Sequence, residues 1–313
     1  MNHSSKIFVA GHSGLAGQSL IKKLKELGYH NLLLPSSREL DLTQQTKTHE
    51  FLISHKPDVV ILAAARVGGI KANMTYPADF FYQNILIQTN VIHGCYLAGV
   101  PKLLFLGSSC MYPRECPQPM KEEYLFTAPF EKTNEAYALA KAAGVKQCEF
   151  YNHQFNTRYL CLIPTNLYGP ADNFHLEHAH VIPALIHKMH LAKIQNLPHL
   201  EIWGSGNTRR EFLFVEDLSE AILHVLTSNI TRTPLNVGTG TDVTIRELAQ
   251  TIREVARYPG ALIFDSSRPE GPPQKLLDVS NLSSLQWRAR YSLQKGIEAT
   301  YHWFVNNFDN ARK

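Results

Sequence analysis

A tyrosine and a lysine four positions apart, Tyr137 and Lys141, form the pair in this sequence best suited to move a proton. Residues at this spacing lie on one face of a helix. Because a free phenol titrates at about 10, a nearby ammonium that stabilises the phenolate is expected to lower the pKa of Tyr137. Proton exchange with an alcohol or ketone oxygen then becomes feasible. The chain has thirteen tyrosines, so the pair by itself is weak evidence.

A cluster of small polar side chains follows an apolar run at residues 102–107 that predicts a strand. Ser108, Ser109 and Cys110 come directly after it. In open α/β sheets, ligands bind beyond the carboxyl ends of the strands. We therefore expect Ser108 to hydrogen-bond a carbonyl or alcohol of a ligand there. A cysteine at a strand end is more often a small buried residue than a catalyst.

The first apolar run, residues 6–11, ends in a glycine-rich turn that leads directly into a helical pattern. The glycines have the spacing G-x-x-G-x-x-G. Glycines let the chain turn sharply and let backbone N–H groups approach a pyrophosphate at the start of the helix. We predict that a dinucleotide site is formed here by Gly11, His12, Ser13, Gly14, Leu15, Ala16 and Gly17.

The end of the second predicted strand indicates which dinucleotide binds. NAD enzymes usually carry an acidic residue there to hold the ribose hydroxyls. This sequence instead has Ser36, Ser37 and Arg38, of which Ser37 and Arg38 suit a 2′-phosphate. NADP(H) is therefore favoured, although Arg38 as a solvated loop residue is the alternative. Asp41 and Leu42 follow closely enough to meet the adenine edge.

Strand and helix patterns alternate through the first half of the chain. Continuously apolar strands separated by helices indicate a parallel sheet covered on both faces. We predict an α/β fold, a Rossmann-like doubly wound parallel sheet over residues 1–170 followed by a smaller C-terminal α/β substrate domain over residues 171–313. Segments near 212–240 are expected to return to the first domain.

Composition excludes several classes of protein. Hydrophobic residues make up 44% and charged residues 19% of the 313 residues, which is typical of a globular protein. The net charge of +4 is not concentrated in a basic block, so nucleic-acid binding is not expected. We expect neither a membrane segment nor a secretion signal. The five cysteines form no C-x-x-C pair, so we expect no metal or disulfide framework and a cytoplasmic location.

The glycine turn, the strand-end serine and the Tyr/Lys pair occur in the chain order of the short-chain dehydrogenases/reductases. At closer range the chain resembles the GDP-L-fucose synthase family, an extended branch of that group. The resemblance covers essentially the whole chain and is carried by segments 11–17, 63–70, 107–113, 134–141, 164–170, 172–175, 180–183, 203–206, 210–212 and 275–278.

The resemblance implies a two-step reaction on GDP-4-dehydro-6-deoxy-D-mannose. The family epimerises C3 and C5 of this 4-keto sugar and then reduces the ketone with NADPH, giving GDP-L-fucose. By resemblance, Cys110 is the base and His180 the acid of epimerisation, Ser108 and Tyr137 hold O4, and Tyr137 protonates O4 during reduction. Without the resemblance, His180 would be read as a helix cap or a surface residue.

The resemblance also implies further binding residues. The GDP-sugar site would be lined by Lys188, Trp203, Arg210, Glu270 and Lys275. Further cofactor contacts are expected from Leu106, Gly107, Ser109, Lys141, Pro164, Thr165, Asn166, Leu167 and His180. An exposed Trp203 would offer an aromatic wall, whereas a core indole is the equal alternative. Ser13 and the pair His187-Lys188 stand where the family often has arginine, and lysine lacks the bidentate fork of arginine.

The family is expected to be a homodimer packed through the helices at 77–98 and 135–151. Two alternatives to this activity stay open at this stage. One is another extended enzyme acting on a nucleotide sugar, a 4-epimerase or a 4,6-dehydratase. The other is a catalytically silent NADP-binding scaffold, which the complete set of Ser108, Tyr137 and Lys141 disfavours.

Overall fold

Strands and helices alternate along the chain in the computed structural model, which describes residues 1–176, 178–267 and 271–312. The strands are β1 (Ile7–Ala10), β2 (Leu32–Leu33), β3 (Val59–Leu62), β4 (Lys102–Leu106), β5 (Tyr159–Pro164), β6 (Asn166–Tyr168), β7 (His199–Trp203), β8 (Arg209–Phe214), β9 (Leu235–Val237), β10 (Asp242–Thr244), β11 (Ala261–Asp265) and β12 (Gln274–Lys275). The helices are α1 (Leu15–Glu26), α2 (Gln45–His55), α3 (Ile70–Thr75), α4 (Pro77–Leu97), α5 (Glu135–Phe155), α6 (Val181–Ile194), α7 (Val215–Thr227), α8 (Ile245–Ala256), α9 (Ser280–Ser284) and α10 (Leu293–Asn306).

A parallel sheet organises the first half of the chain. Among the described residues it has six strands in the order β2-β1-β3-β4-β5-β9. The order reverses direction beside β1, which creates a crevice at the carboxyl ends of the strands. The predicted Rossmann-like doubly wound sheet is therefore confirmed.

Both faces of this sheet are covered because its strands are apolar on both sides. Ile7 and Val9 of β1 pack in a cluster with residues of α1 and α7, whereas Phe8 and Ala10 pack on the opposite face with residues of α2, α4 and α5. Successive side chains of a strand point to opposite faces, so a strand buried on both faces needs continuous hydrophobicity. β1, β3 and β5 are buried at every position.

The second half of the chain contributes to two places. α7 packs on α1, and β9 closes the edge of the six-stranded sheet beside β5. Apart from α9, which packs on β9, the remaining elements form a separate layer in which β8 pairs with β6, β10 and β12, and β7 pairs with β11. A third apolar cluster, built largely from α6, α8, α10 and β8, fills this smaller α/β part.

Two details concern the segment between β2 and α2. β2 is limited to Leu32–Leu33. α2 begins at Gln45 with Gln44 as the capping position, so Thr43 does not cap it. The Thr43 hydroxyl instead donates to the carboxylate of Asp41 at 2.7 Å, because a short polar side chain next to an aspartate forms a local turn more easily.

Candidate active site

The glycine turn after β1 is shaped by close contacts that only glycine permits. Gly11 has a φ of +85°, and a Cβ added there would lie 2.5 Å from the backbone N of Ala64. A Cβ at Gly17 would collide with the carbonyl oxygen of Gly11. α1 begins directly after Gly14, and no side chain in the described ranges caps it. Its first N–H groups are therefore available to an anion, as a pyrophosphate site requires.

The segment after β2 contains a carboxylate that the sequence analysis passed over. The Glu39 carboxylate accepts the backbone N–H of Ser36 at 2.7 Å and its hydroxyl at 2.8 Å. These hydrogen bonds lower the pKa of Glu39. They fold the turn so that Ser37 and Arg38 are exposed at its tip, where a phosphate could reach them. The Asp41 carboxylate accepts hydrogen bonds from the backbone N–H and the hydroxyl of Thr43, just before α2. Its contact with adenine stays a prediction.

The end of β4 brings three of the predicted catalytic side chains together. Ser108 accepts the backbone N–H of Cys110 at 3.2 Å, which sets the short helical turn carrying Cys110. The Ser108 hydroxyl also hydrogen-bonds the phenol of Tyr137, and Cys110 lies close enough to Tyr137 to influence its pKa. A Cβ on Gly107, directly before them, would lie 2.8 Å from the terminal methyl of the buried Met111, so this side chain would have to shift.

The expected lowering of the tyrosine pKa was wrong. The pKa of Tyr137 is raised, because burial and the neighbouring Cys110 outweigh the hydrogen bond from Ser108. Lys141 is buried with 3% of its surface exposed, and burial lowers the pKa of its ammonium to about 7. Its Nζ donates to the carbonyl of Leu106 at 2.7 Å and lies 4.5 Å from the centre of the Phe105 ring.

His180 lies at the start of α6, at the end of a long loop. We call residues 169–180, described except at 177, the His180 loop. The position is that of a helix cap, yet within the described structure the His180 imidazole makes no capping hydrogen bond. The side chain keeps exposed surface while the surrounding protein lowers the pKa of its imidazole. Both properties together are those of a side chain in a cleft.

Residues 164–167, predicted to contact the cofactor, join β5 to β6. The hydroxyl of Thr165 and the side-chain amide of Asn166 both donate to the carbonyl oxygen of Glu211, at 3.1 and 2.8 Å. The Asn166 amide therefore has a structural partner in addition to any ligand. Pro164 is buried, and Leu167 is partly buried against the core.

Glu211 is a residue that the sequence analysis did not single out. Its side chain is fully buried, and burial raises its pKa. One carboxylate oxygen accepts the N–H groups of Thr239 and Gly240 at 2.7 Å each, and the other accepts the N–H of Leu277 at 3.0 Å. The carboxylate thus ties β8 to the turn after β9 and to the chain after β12. A charged residue directly before the apolar run 212–215 was the available signal.

The predicted substrate residues fall into two pairs. Arg210 of β8 and Lys275 of β12 are register neighbours on adjacent parallel strands, so two cations stand side by side. The Lys188 ammonium lies 5.4 Å from the centre of the Trp203 ring. Trp203 is 59% exposed, so the interpretation as a core indole was wrong. Glu270 lies outside the described residues.

His187, the neighbour of Lys188, is a core residue here. It is buried, and its Nδ1 lies 2.7 Å from the carbonyl oxygen of Phe174. Burial lowers the pKa of Lys188, and the nearby Glu201 opposes that shift.

Among the residues that the structure describes, no helix is both long and apolar enough to span a membrane. No group of three or more His, Cys, Asp or Glu side chains is placed to hold a metal ion in that part of the chain.

The fold and the site define an α/β nucleotide-binding protein with a Ser/Tyr/Lys set, and residues 7–238 match the model of the NAD dependent epimerase/dehydratase family. A GDP-L-fucose synthase of Escherichia coli (strain K12) is 48% identical over 316 residues, covering 98% of each chain. GDP-L-fucose synthase 1 of Arabidopsis thaliana is 50% identical over 307 residues, covering 98% of this chain and 95% of the relative. The chain therefore belongs to the GDP-L-fucose synthase family within the NAD dependent epimerase/dehydratases.

Solved structures agree with this assignment. A GDP-L-fucose synthetase from Naegleria fowleri bound to NADP has a TM-score of 0.92 at 27% identity, covering 100% of this chain and 98% of that one. A GDP-6-OMe-4-keto-L-xylo-heptose reductase from C. jejuni has a TM-score of 0.92 at 36% identity, covering 98% of this chain and 99% of that one. The first similarity extends over the full length of the chain.

Proposed function

We propose that this chain converts GDP-4-dehydro-6-deoxy-D-mannose to GDP-L-fucose by epimerising C3 and C5 and then reducing the C4 ketone with NADPH. The observation that carries the proposal is the grouping of Cys110 with the hydrogen-bonded pair Ser108 and Tyr137 at the end of β4. Two hydroxyls that can hold one ketone oxygen stand beside a thiol that can take the proton next to it. A plain reductase or 4-epimerase has no use for that thiol.

The cofactor site fits NADP(H). The uncapped start of α1 and the glycine turn suit a pyrophosphate, and the exposed Ser37 and Arg38 suit a 2′-phosphate. Lys141, beside the Leu106 carbonyl, would hold the ribose next to the nicotinamide. When bound, NADPH supplies the hydride that C4 receives. The relatives from E. coli, A. thaliana and N. fowleri support the same cofactor and reaction class for this chain.

Epimerisation inverts a carbon beside the ketone. The Cys110 thiolate takes the proton from C3, and the electron pair moves to O4, where the hydroxyls of Ser108 and Tyr137 stabilise the enolate. The protonated His180 imidazole then returns a proton to C3 on the opposite face of the ring. Before the next inversion, Cys110 releases its proton to solvent and His180 takes one up. The same exchange at C5 completes the change from D to L configuration. Both steps leave the net number of protons unchanged.

Reduction needs a proton donor at O4. The raised pKa of Tyr137 keeps its phenol protonated at neutral pH, which suits a group that must donate rather than accept. The phenol proton goes to O4 as C4 accepts the hydride. With a pKa of about 7, Lys141 is protonated in part of the population at neutral pH, and its ammonium can then stabilise the phenolate that forms.

The nucleotide part of the substrate is assigned to the second half of the chain. Arg210 and Lys275, adjacent on β8 and β12, supply two positive charges for the diphosphate. The exposed Trp203 ring, with the Lys188 ammonium beside it, supplies a flat apolar wall. We accordingly assign cofactor binding to residues 1–170 with returning segments near 212–240, and substrate binding to residues 171–313.

We further propose a cytoplasmic homodimer. α4 and α5 pack side by side, and both expose large apolar side chains of the kind that mark protein interfaces. These side chains are Phe81, Tyr82, Leu97, Leu139, Phe150 and Phe155. The free thiols of all five cysteines support a reducing compartment.

The decisive experiment mixes the purified chain with GDP-4-dehydro-6-deoxy-D-mannose and NADPH. We expect loss of the nicotinamide absorbance and GDP-L-fucose as the product identified by NMR. NADPH consumption with a D-configured product would retain the reductase and reject Cys110 and His180 as epimerisation groups. Binding of NADPH without consumption would reject the proposed substrate.

A further inference from the structure

The loop between β3 and α3, residues 63–69, lies next to the active site but has no task in the reaction proposed above. It includes Val67, Gly68 and Gly69, part of the segment that carries the family resemblance. Its position follows from the sheet, because β3 is a central strand and its carboxyl end opens into the ligand crevice. We call residues 63–69 the β3–α3 loop.

Two buried asparagines brace the β3–α3 loop through its backbone. Asn84 of α4 accepts the N–H of Arg66 at 2.9 Å and donates to its carbonyl at 3.0 Å. Asn73 of α3 donates to the carbonyl oxygens of Gly68 and Gly69 at 2.9 and 3.1 Å. Asn84 and Asn73 are only 2% and 6% exposed. Buried side-chain amides that satisfy loop carbonyls hold that loop in one conformation.

The braced loop is in direct contact with the His180 loop. The backbone N–H of Gly69 donates to the carbonyl of His178 at 3.2 Å, two residues before His180. A Cβ added to Gly69 would lie 3.3 Å from the carbonyl oxygen of Ala179 and 3.4 Å from that of His178. The two backbones therefore meet at a point where a larger residue would push them apart.

The same loop is separated from Tyr137 by one aromatic ring. A Cβ on Gly68 would lie 3.1 Å from the Phe80 ring, and Phe80 meets Tyr137 edge to face with centroids 6.5 Å apart. Phe80 itself is buried and anchored in α4. The position of Tyr137 therefore has its own support in α4 and α5, whereas the backbone of the His180 loop receives support from Gly69.

We propose that Asn73 and Gly69 are positioning residues for epimerisation, holding the His180 loop so that the imidazole faces the sugar ring opposite Cys110. The inference rests on the proposed function, because only an epimerising enzyme needs an acid across the ring from its base. A displacement of about 1 Å in a catalytic group, caused by a change remote from the chemistry, can cost about 100-fold in rate. Reduction, which relies on Tyr137, is expected to tolerate the same displacement.

The test separates the two half-reactions in the full-length protein. Epimerisation is measured without NADPH, as deuterium uptake from D2O at C3 and C5 of GDP-4-dehydro-6-deoxy-D-mannose by NMR. Reduction is measured with NADPH, as nicotinamide absorbance together with the ratio of D- to L-configured product. The variants are Asn73→Asp, which keeps the shape but removes the donor, and Gly69→Ala, which adds the methyl group at the loop contact.

The expected result for both variants is a fall in deuterium uptake of about tenfold or more and a rise in the D-to-L product ratio. The Kd for NADPH should stay within about twofold of the wild-type value. Thr75→Ala is the matched control, since its exposed hydroxyl donates to the Lys71 carbonyl of the same short helix. The control should leave both rates unchanged.

Two results would overturn the inference. Deuterium uptake equal to wild type in both variants would show that the His180 loop does not need this support. An equal loss of uptake and hydride transfer would show a general structural role. If Asn73→Asp does not fold, Gly69→Ala decides alone, because it disturbs the contact while leaving the Asn73 donor in place. Absence of exchange in the wild-type chain would reject the proposed function instead.

Discussion

Ser108, Cys110 and Tyr137 lie on one flank of the cleft, where a buried strand and a long helix set their positions. β4 is hydrogen-bonded on both sides, and Lys141 ties α5 to β4 through the Leu106 carbonyl. His180 lies at the start of α6, at the end of the His180 loop, and is proposed to face the sugar ring from the other flank. That loop is held by contacts with distant parts of the chain, such as the hydrogen bond from Phe174 N–H to the Arg312 carbonyl at 2.8 Å and the stacking of Phe174 on Phe304. The proposed reductase groups are therefore set by regular elements, and the proposed epimerisation acid by tertiary contacts.

Burial disfavours the charged form of an ionisable group on each flank, and Lys141 and Asp172 allow a direct comparison. On the first flank, burial lowers the pKa of the Lys141 ammonium to about 7. On the second flank, burial raises the pKa of the Asp172 carboxyl to about 7, against the opposing effects of the Asn173 N–H and Arg312. Both groups reduce the stability of the fold when charged, but the proposed mechanism uses Lys141 and not Asp172. Burial of Lys141 therefore costs stability at a site proposed for catalysis. Burial of Asp172 costs stability within the His180 loop.

Replacing Tyr137 by phenylalanine should have the largest effect. Loss of the proton donor at O4 should reduce hydride transfer by about 100- to 10,000-fold. Nicotinamide absorbance with the keto sugar measures this rate. Deuterium exchange at C3 and C5 should fall much less, because Ser108 still holds O4. The matched control is Tyr82→Phe, whose hydroxyl is on an exposed side chain of α4. NADPH oxidation near the wild-type rate would remove Tyr137 from the mechanism.

Cys110→Ser should separate epimerisation from reduction on the same flank. A hydroxyl is a far weaker base than a thiolate, so formation of the L-sugar should fall by about 100-fold or more while direct reduction at C4 persists in part. Product stereochemistry by NMR is the measurement. Cys116→Ser, a free and partly buried thiol of the following loop, serves as control. An unchanged product would exclude Cys110 as the epimerisation base.

Lys141→Met should stabilise the fold while abolishing activity. The unfolded lysine titrates at about 10.4, so between pH 10 and 7 the unfolded chain binds a proton that the folded chain does not, and stability falls as the pH is lowered. We expect the free energy of unfolding to rise by about 1–3 kcal/mol at pH 7. The rise is smaller than the full cost of burying the lysine charge, because the Leu106 carbonyl loses its hydrogen-bond donor. Denaturant midpoints at pH 7 and 9.5 measure it.

The gain from Lys141→Met should shrink toward pH 9.5, where the unfolded lysine also begins to lose its proton. Lys146→Met is the control on the same helix, since the surface ion pair of Lys146 with Glu149 contributes little. A destabilised Lys141→Met at both pH values would show that the ammonium is favourable in the folded state.

Asp172→Asn should give the smallest effect, on the second flank. The unfolded carboxyl titrates at about 3.9, so between pH 4 and 7 the folded chain binds the extra proton, and stability falls as the pH rises. The amide should therefore raise the free energy of unfolding by about 1–2 kcal/mol at pH 8 and by little at pH 4.5. Thermal unfolding at both values, with the exposed Asp309→Asn as control, checks this. Equal effects at both pH values would contradict the burial argument.

Features of the site that depend on local spacing could be predicted from the sequence, whereas features that depend on distant residues could not. The Tyr137 and Lys141 pair was predicted from its helical spacing together with the chain order of the glycine turn and Ser108, and Ser108 from its place after a strand. These relations can be read from the sequence. The raised pKa of Tyr137 was not foreseen, since burial depends on neighbours distant in the chain. Glu211 was missed for the same reason: its partners Thr239 and Leu277 are distant in sequence.

By itself, the sequence determined the class of fold and the family. Apolar strands alternating with helices, and the glycines of residues 11–17, leave few other arrangements, since both faces of the sheet must be covered and the turn admits no side chain at Gly11. Only the tertiary structure decided the environment of the site: the burial of Lys141, the exposure of Trp203, and the contact between Gly69 and the His180 loop. These depend on surfaces brought together from distant parts of the chain, which local spacing does not encode.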